Sequence, residues 1–219
     1  MKREPRPGRM QFAEGVPPTF IEFEAKRIES NYGYIRFNTF HPALVDRLLT
    51  AVDSMQGTKG LVIDLRGNTG GAFDVRRALA ERMVSKRSLC WKYRRRSETE
   101  IVYLNPTSQP YTKPLAILTD ALSCSSAEEF PGALQAMRRA VVVGERTPGM
   151  VLTADIVVLP SGDTLVYPNG ETSVCDGTVL EGRGVIPDIK VQHTVSALLA
   201  GRDLPLEAAI RYIRAQTGD

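Results

Sequence analysis

The sequence predicts an α/β fold, and two strand–turn–helix units carry that prediction. In the first, Gly60-Leu61-Val62-Ile63-Asp64-Leu65 is a nearly continuous apolar run of the kind buried on both faces of a parallel sheet. It feeds into the glycine-rich turn Arg66-Gly67-Asn68-Thr69-Gly70-Gly71, after which helical spacing resumes through Val75, Leu79 and Met83. In the second unit, residues 114–120 read as a buried strand, 122–126 as its loop and 127–137 as a helix, with Val141-Val142-Val143 opening a further strand. Two such units whose loops leave the same end of a sheet converge on one site.

The remaining elements follow from local pattern. Phe20 to Glu24 and Tyr32 to Phe37 alternate as two strands, and Pro42 opens a helix to about residue 55 with Leu44, Leu48, Leu49, Val52 and Met55 on one stripe. Strands are expected over 152–159 and 164–168, joined by a turn at Pro160-Ser161-Gly162-Asp163, and a last amphipathic helix over 206–214. Residues 1–18, rich in basic residues and proline, read as a tail or linker, leaving 19–219 as one core. The basic stretch from Lys86 to Arg96 reads as an edge strand guarded by charge rather than a nucleic-acid stripe.

Composition excludes several classes. With 42% hydrophobic and 24% charged residues the chain is of ordinary globular type, and a net charge of +3 calls for no nucleic-acid or membrane partner. No apolar run is long enough for a membrane span, and the start has no signal-peptide core. Cys90, Cys124 and Cys175 are odd in number and far apart, fitting neither a disulfide framework nor a zinc site, so a reducing, cytoplasmic setting is expected. Asp64, Asp120 and Asp155 are too scattered for a metal site; neither metal nor cofactor is expected.

Chemistry concentrates in Ser123-Cys124-Ser125-Ser126-Ala127-Glu128, which sets a hydroxyl where a buried strand meets a helix N-terminus. Unpaired N–H groups there suit a nucleophile or an oxyanion, although Ser125 with Glu128 also matches a capping box. The Gly70-Gly71 turn lets backbone approach a ligand and is equally compatible with ordinary turn chemistry.

Five segments in order resemble the carboxyl-terminal (tail-specific) processing proteases, a family that includes the tricorn core protease and the interphotoreceptor retinoid-binding modules. They are residues 33–37, 60–71, 123–128, 143–149 (Val-Gly-Glu-Arg-Thr-Pro-Gly) and 181–188 (Glu-Gly-Arg-Gly-Val-Ile-Pro-Asp), so the likeness runs from about 32 to 191. The resemblance implies a Clp-protease/crotonase-like β/β/α core and a serine peptidase acting on polypeptides. It assigns Ser125 as nucleophile and the N–H of Ser126 with that of Gly70 or Gly71 as the oxyanion hole. The family's lysine base falls 25 positions after the serine, where this chain has Met150. A Ser–Lys dyad is thereby excluded at that position, and Lys113 or Lys190 would need an unrelated geometry.

The tricorn-like branch uses a histidine and a glutamate instead. Glu181 matches the glutamate by position; of the two histidines, His41 stands at a strand-to-helix junction and is the candidate base, and His193 reads as surface. The absent histidine segment suggests a carboxyl-terminal catalytic part without PDZ-like and helical regions, with a homo-oligomer possible. The alternative is a non-catalytic module of the same fold binding a hydrophobic ligand or peptide; an acyl-CoA enzyme of the crotonase type fits the ordered motifs poorly.

Overall fold

A computed structural model describes residues 8–13, 16–29 and 31–218. Its centre is a six-stranded sheet built from β3 (Phe23–Ile28), β4 (Tyr32–Phe37), β5 (Leu61–Asp64), β8 (Leu115–Thr119), β9 (Val141–Gly144) and β12 (Ile189–Lys190). The order is β12-β9-β8-β5-β4-β3, parallel except for the antiparallel β3–β4 pair. All four residues of β5 are buried, which accounts for its nearly continuous apolar run: Ile63 faces one side of the sheet and Val62 the other.

On the Ile63 side lie α1 (Val45–Ser54), α2 (Phe73–Glu81) and α3 (Ser126–Ala136), which contribute Leu48 and Val52, Val75 and Leu79, and Phe130 and Leu134 to the larger core. On the Val62 side α5 (Leu204–Thr217) buries Ala209, Ile210 and Ile213. A short 3-10 turn, Pro42–Leu44, precedes α1, and α4 (Val195–Leu199) precedes α5.

A second, antiparallel sheet has the order β10-β11-β6-β7, from β6 (Ser88–Arg95), β7 (Thr99–Leu104), β10 (Thr153–Val158) and β11 (Thr164–Val174). The basic stretch is therefore an interior strand, not the edge its charge suggested. Cys90, Trp91 and Tyr93 turn into the core while Arg94 and Arg95 face water, and β7 and β10 take the edges.

Part of the expected tail also has structure. The strands β1 (Arg9–Ala13) and β2 (Val16–Ile21) pair antiparallel, Met10 opposite Phe20 and Gln11 opposite Thr19, so each meets the other's backbone hydrogen bonds. The hairpin is tied down where β2 ends, by buried Ile21 and by Asn38, whose Nδ2 donates to the Phe20 carbonyl. Residues 1–7 and 14–15 of that expected tail lie outside the described residues.

The N-terminus of α5 is fixed by Arg66, which donates to both carboxylate oxygens of Asp203 at 2.8 Å and to Asp64 at 2.6 and 2.9 Å. Burial raises the Asp203 pKa, but the Arg66 hydrogen bonds and charge outweigh it and hold the carboxyl below its usual value. A carboxylate whose folded pKa is depressed stabilises the fold above its unfolded pKa, near about 4, and loses that contribution as pH falls further. The melting-temperature gap between the unmodified chain and Asp203→Asn is therefore expected to be open at pH 7 and to close below about pH 4; thermal melts across pH check this.

Candidate active site

Because β5 and β8 are adjacent and parallel, their following loops leave the same sheet edge and meet. Four hydrogen bonds fix the meeting: Gly67 N–H to Asp120 Oδ1 at 3.0 Å, Cys124 N–H to the Asn68 carbonyl at 2.9 Å, Ser123 Oγ to the Leu65 carbonyl at 2.9 Å, and Ser126 Oγ to the Gly71 carbonyl at 2.8 Å. Asn68, fully buried, braces the turn from within, donating to the Phe37 carbonyl and accepting from Gly70 N–H.

Glycine is required at both ends of the approach. At Gly70 (φ +92°) a Cβ would stand 2.7 Å from the Ser125 Cβ, and at Gly71 (φ +133°) 2.6 Å from the Phe40 carbonyl oxygen. Ser125 itself has φ 55° and ψ −120°, a left-handed backbone that costs a non-glycine residue about 1–3 kcal/mol. This turn brings Ser125, Ser126 and Gly71 to the wall of one cleft of about 450 Å³. Among the described residues, neither the Gly71 nor the Ser126 N–H has a hydrogen-bond acceptor, whereas the Gly70 N–H is taken by Asn68 at 2.9 Å. Of the two candidate glycines, Gly71 thus has its donor available.

Glu128 organises the other side of the serine. Wholly buried, its carboxylate accepts from Ser125 N–H at 3.2 Å, Met150 N–H at 2.8 Å, Gly149 N–H at 2.6 Å and the Thr147 hydroxyl at 2.5 Å. The capping half that the sequence suggested is present, and the same carboxylate also gathers residues 147–150 around the serine. Met150 sits against Ser125 through its backbone, its carbonyl accepting from Ser125 N–H at 3.0 Å, while its side chain is 64% exposed.

Among the described residues that line the cleft, none of the remaining sequence candidates appears. Glu181 accepts from Val151 and Leu152 N–H at 2.8 and 3.2 Å and so holds one wall of the cleft without lining it. His41 is buried, its Nδ1 accepting from Ala43 N–H at 3.1 Å as the cap of the 3-10 turn, and it does not line the cleft. His193 lies across the sheet edge, Nε2 at 3.1 Å from Arg66 Nη1. Burial and the Glu128 and Asp120 carboxylates push the Cys124 thiol up, away from a reactive thiolate. Among the described residues, no lysine or histidine lines the cleft.

Sequence reasoning missed the cleft floor. Arg76 on α2 and Glu129 on α3 form a buried ion pair there, Arg76 also reaching the Tyr93 hydroxyl and, at 3.2 Å, the Ser126 Oγ. Burial lowers the Arg76 pKa; burial also pushes the Tyr93 hydroxyl up to about 12, with Arg76 pulling the other way. A signal existed: Arg76 is three and four residues from Leu79 and Ala80, and Glu129 four from Ala133, so each charge interrupts a buried stripe.

Residues 31–191 match Peptidase family S41. The chain belongs to that family. A carboxy-terminal-processing protease of Bartonella bacilliformis is 28% identical over 188 residues, which is 82% of this chain and 43% of that protein. The chain thus spans less than half the length of that relative. The photosystem II D1 C-terminal processing protease superposes with a TM-score of 0.67 at 25% identity, over 82% of this chain and 50% of that one. A putative peptidase from Parabacteroides merdae superposes with a TM-score of 0.75 at 24% identity, over 93% of this chain and 66% of that one. The S41 core therefore has the fold that the ordered motifs implied.

Proposed function

We propose that this S41 chain is the catalytic core of a serine-type endopeptidase that hydrolyses polypeptides through an acyl-enzyme on Ser125. The observation that carries the reading is the strained Ser125 backbone at a strand-to-helix turn, flanked by the unengaged N–H groups of Gly71 and Ser126. Strain of this kind persists where surrounding structure enforces it, and the two donors supply what a developing oxyanion needs.

In the proposed reaction Ser125 Oγ attacks the scissile carbonyl carbon while a general base takes its proton. The carbonyl oxygen gains negative charge between Gly71 N–H and Ser126 N–H. The C–N bond then breaks, the leaving amine takes the proton, and water hydrolyses the resulting ester by the same route. Glu181 acts in this scheme as a positioning residue, holding Val151 and Leu152 along the cleft. For His41 to serve as base its ring would have to release Ala43 N–H and turn toward the cleft; a base from another segment or a second copy of the chain needs no such movement. The three free cysteines support a reducing, cytoplasmic setting as part of the same proposal.

The test is covalent labelling. A fluorophosphonate probe is expected to modify Ser125, located by mass spectrometry, and to leave Ser125→Ala unmodified. Folded protein that takes no label would withdraw the catalytic reading and leave a binding module on the same fold.

A further inference from the structure

The pairing of β11 with β6 covers only residues 170–174, so residues 154–168 form a two-stranded ribbon of β10 and β11 alone. Directly opposed residues share a face, and both faces of this ribbon are apolar and open. Ile156, Val158 and Val166 on one face, and Val157, Leu165 and Tyr167 on the other, are 40–70% exposed. A two-stranded ribbon is marginally stable by itself in water, and monomers seldom leave an apolar patch of this extent uncovered.

The free edge of β10 narrows the choice of partner. Leu159 N–H donates to the Asp163 carbonyl at 2.8 Å, so the alternation of an antiparallel ladder turns the backbone groups of Asp155 and Val157 toward β11. Pro168 stands opposite Ala154, a position that needs no N–H in this phase. The backbone groups of Ala154, Ile156 and Val158 therefore point outward, where β10 has no neighbouring strand among the described residues. Free edges are ordinarily guarded: β3 carries Glu24, Lys26 and Arg27, and the open stretch of β11 carries Pro168. The outward-bonding residues of β10 are all apolar and have no such guard.

We infer that β10 is the seat of a homodimer in which two copies of the chain pair antiparallel, edge to edge, about Ile156. Charge and donors select that register. Centred on Asp155, two carboxylates stand opposite each other; centred on Val157, Ala154 faces Pro160, which has no N–H. Centred on Ile156, the outward groups all find partners: Ala154 exchanges backbone bonds with Val158 of the second copy, and Ile156 with its own counterpart. The side chains of these pairs are apolar throughout, and Asp155 stands opposite Val157. The two ribbons thus become one four-stranded sheet. An unstructured peptide fits the same edge only after being ordered, whereas β10 of a second copy is already a strand. The same register carries Leu159 and Pro160 of one copy to Thr153 and Leu152 of the other, and these two line the Ser125 cleft. Each cleft is thereby walled in part by the second copy.

The experiment uses the full chain. Sedimentation equilibrium is expected to give twice the chain mass, and Ile156→Lys, which sets like charges face to face at the axis, is expected to return it to one chain. Ile156→Cys, treated with oxidised glutathione, is expected to link two copies through residue 156, because hydrogen-bonded partners have Cα atoms about 5.5 Å apart, within disulfide reach. Val166→Cys, on the strand away from the axis, is expected not to link, and the unmodified chain gives the background from Cys90, Cys124 and Cys175. The inference is overturned if the unmodified chain sediments as a monomer, if folded Ile156→Lys stays dimeric, or if Ile156→Cys links no better than Val166→Cys. Should Ile156→Lys fail to fold by circular dichroism, the comparison of the two cysteine variants decides alone. The pairing does not depend on the chemistry assigned to Ser125, which fluorophosphonate labelling tests separately.

Discussion

Glu128→Ala is expected to lower the stability of the chain by at least about 4 kcal/mol, a large share of the roughly 5–15 kcal/mol margin of an ordinary domain. The buried carboxylate receives four donors, from Ser125, Thr147, Gly149 and Met150. Each hydrogen bond to a charged group contributes about 1.5–3 kcal/mol, and bonds sharing one acceptor do not add fully. The loss also travels, because the Thr147 hydroxyl that donates to Glu128 accepts from Val185 N–H at 2.7 Å. Removing one carboxylate therefore detaches residues 147–150 from α3 and loosens the segment around residue 185. Urea denaturation gives the stability change, and hydrogen exchange should show protection lost first at Gly149, Met150 and Val185. Glu128→Gln keeps one acceptor oxygen but points an NH2 at existing donors, so its loss should be smaller than that of alanine. Equal stability of the alanine variant and the unmodified chain would mean that water replaces the carboxylate without cost, and the account of this turn would fail.

The same carboxylate shows why the site was only partly legible in the sequence. The Ser-x-x-Glu spacing admitted a helix cap, and Glu128 does reach back to Ser125 N–H. Nothing in the spacing reveals that the other bonds of Glu128 go to residues 19 to 22 positions away, since long-range partners are set by how β9 returns beside β8. The parallel strands were legible because burial on both faces leaves a continuous apolar run, as in β5. Strand β6 misled because its outward face is so basic that it resembled an edge, while the buried Cys90, Trp91 and Tyr93 between those charges carried the true signal. The ion pair of Arg76 and Glu129 was hidden for a further reason. Either charge alone reads as solvated, and only the packing of α2 against α3 shows that they neutralise each other beside the serine.

Met150→Lys is expected to raise the rate of fluorophosphonate labelling at Ser125 by about 10²–10⁴, the range that a positioned general base contributes. The argument is geometric. The backbone of Met150 is held on both sides, its N–H by Glu128 at 2.8 Å and its carbonyl by Ser125 N–H at 3.0 Å, so a residue there is fixed beside the candidate nucleophile. Its side chain is 64% exposed and unbranched, so lysine can replace it without overpacking the core. A lysine acts as base only when deprotonated, and its free pKa is about 10.4. The gain should therefore grow as pH rises toward the lysine's pKa, adding a basic limb that the unmodified chain lacks. Met150→Arg supplies the control, since a guanidinium stays charged throughout this range and accepts no proton. Lysine and arginine variants that label at the same rate would show that the position contributes charge or shape but no proton transfer. A lysine variant alone on the rising pH limb would mean that the oxyanion donors and the strained serine were already in place, with only a base missing beside them.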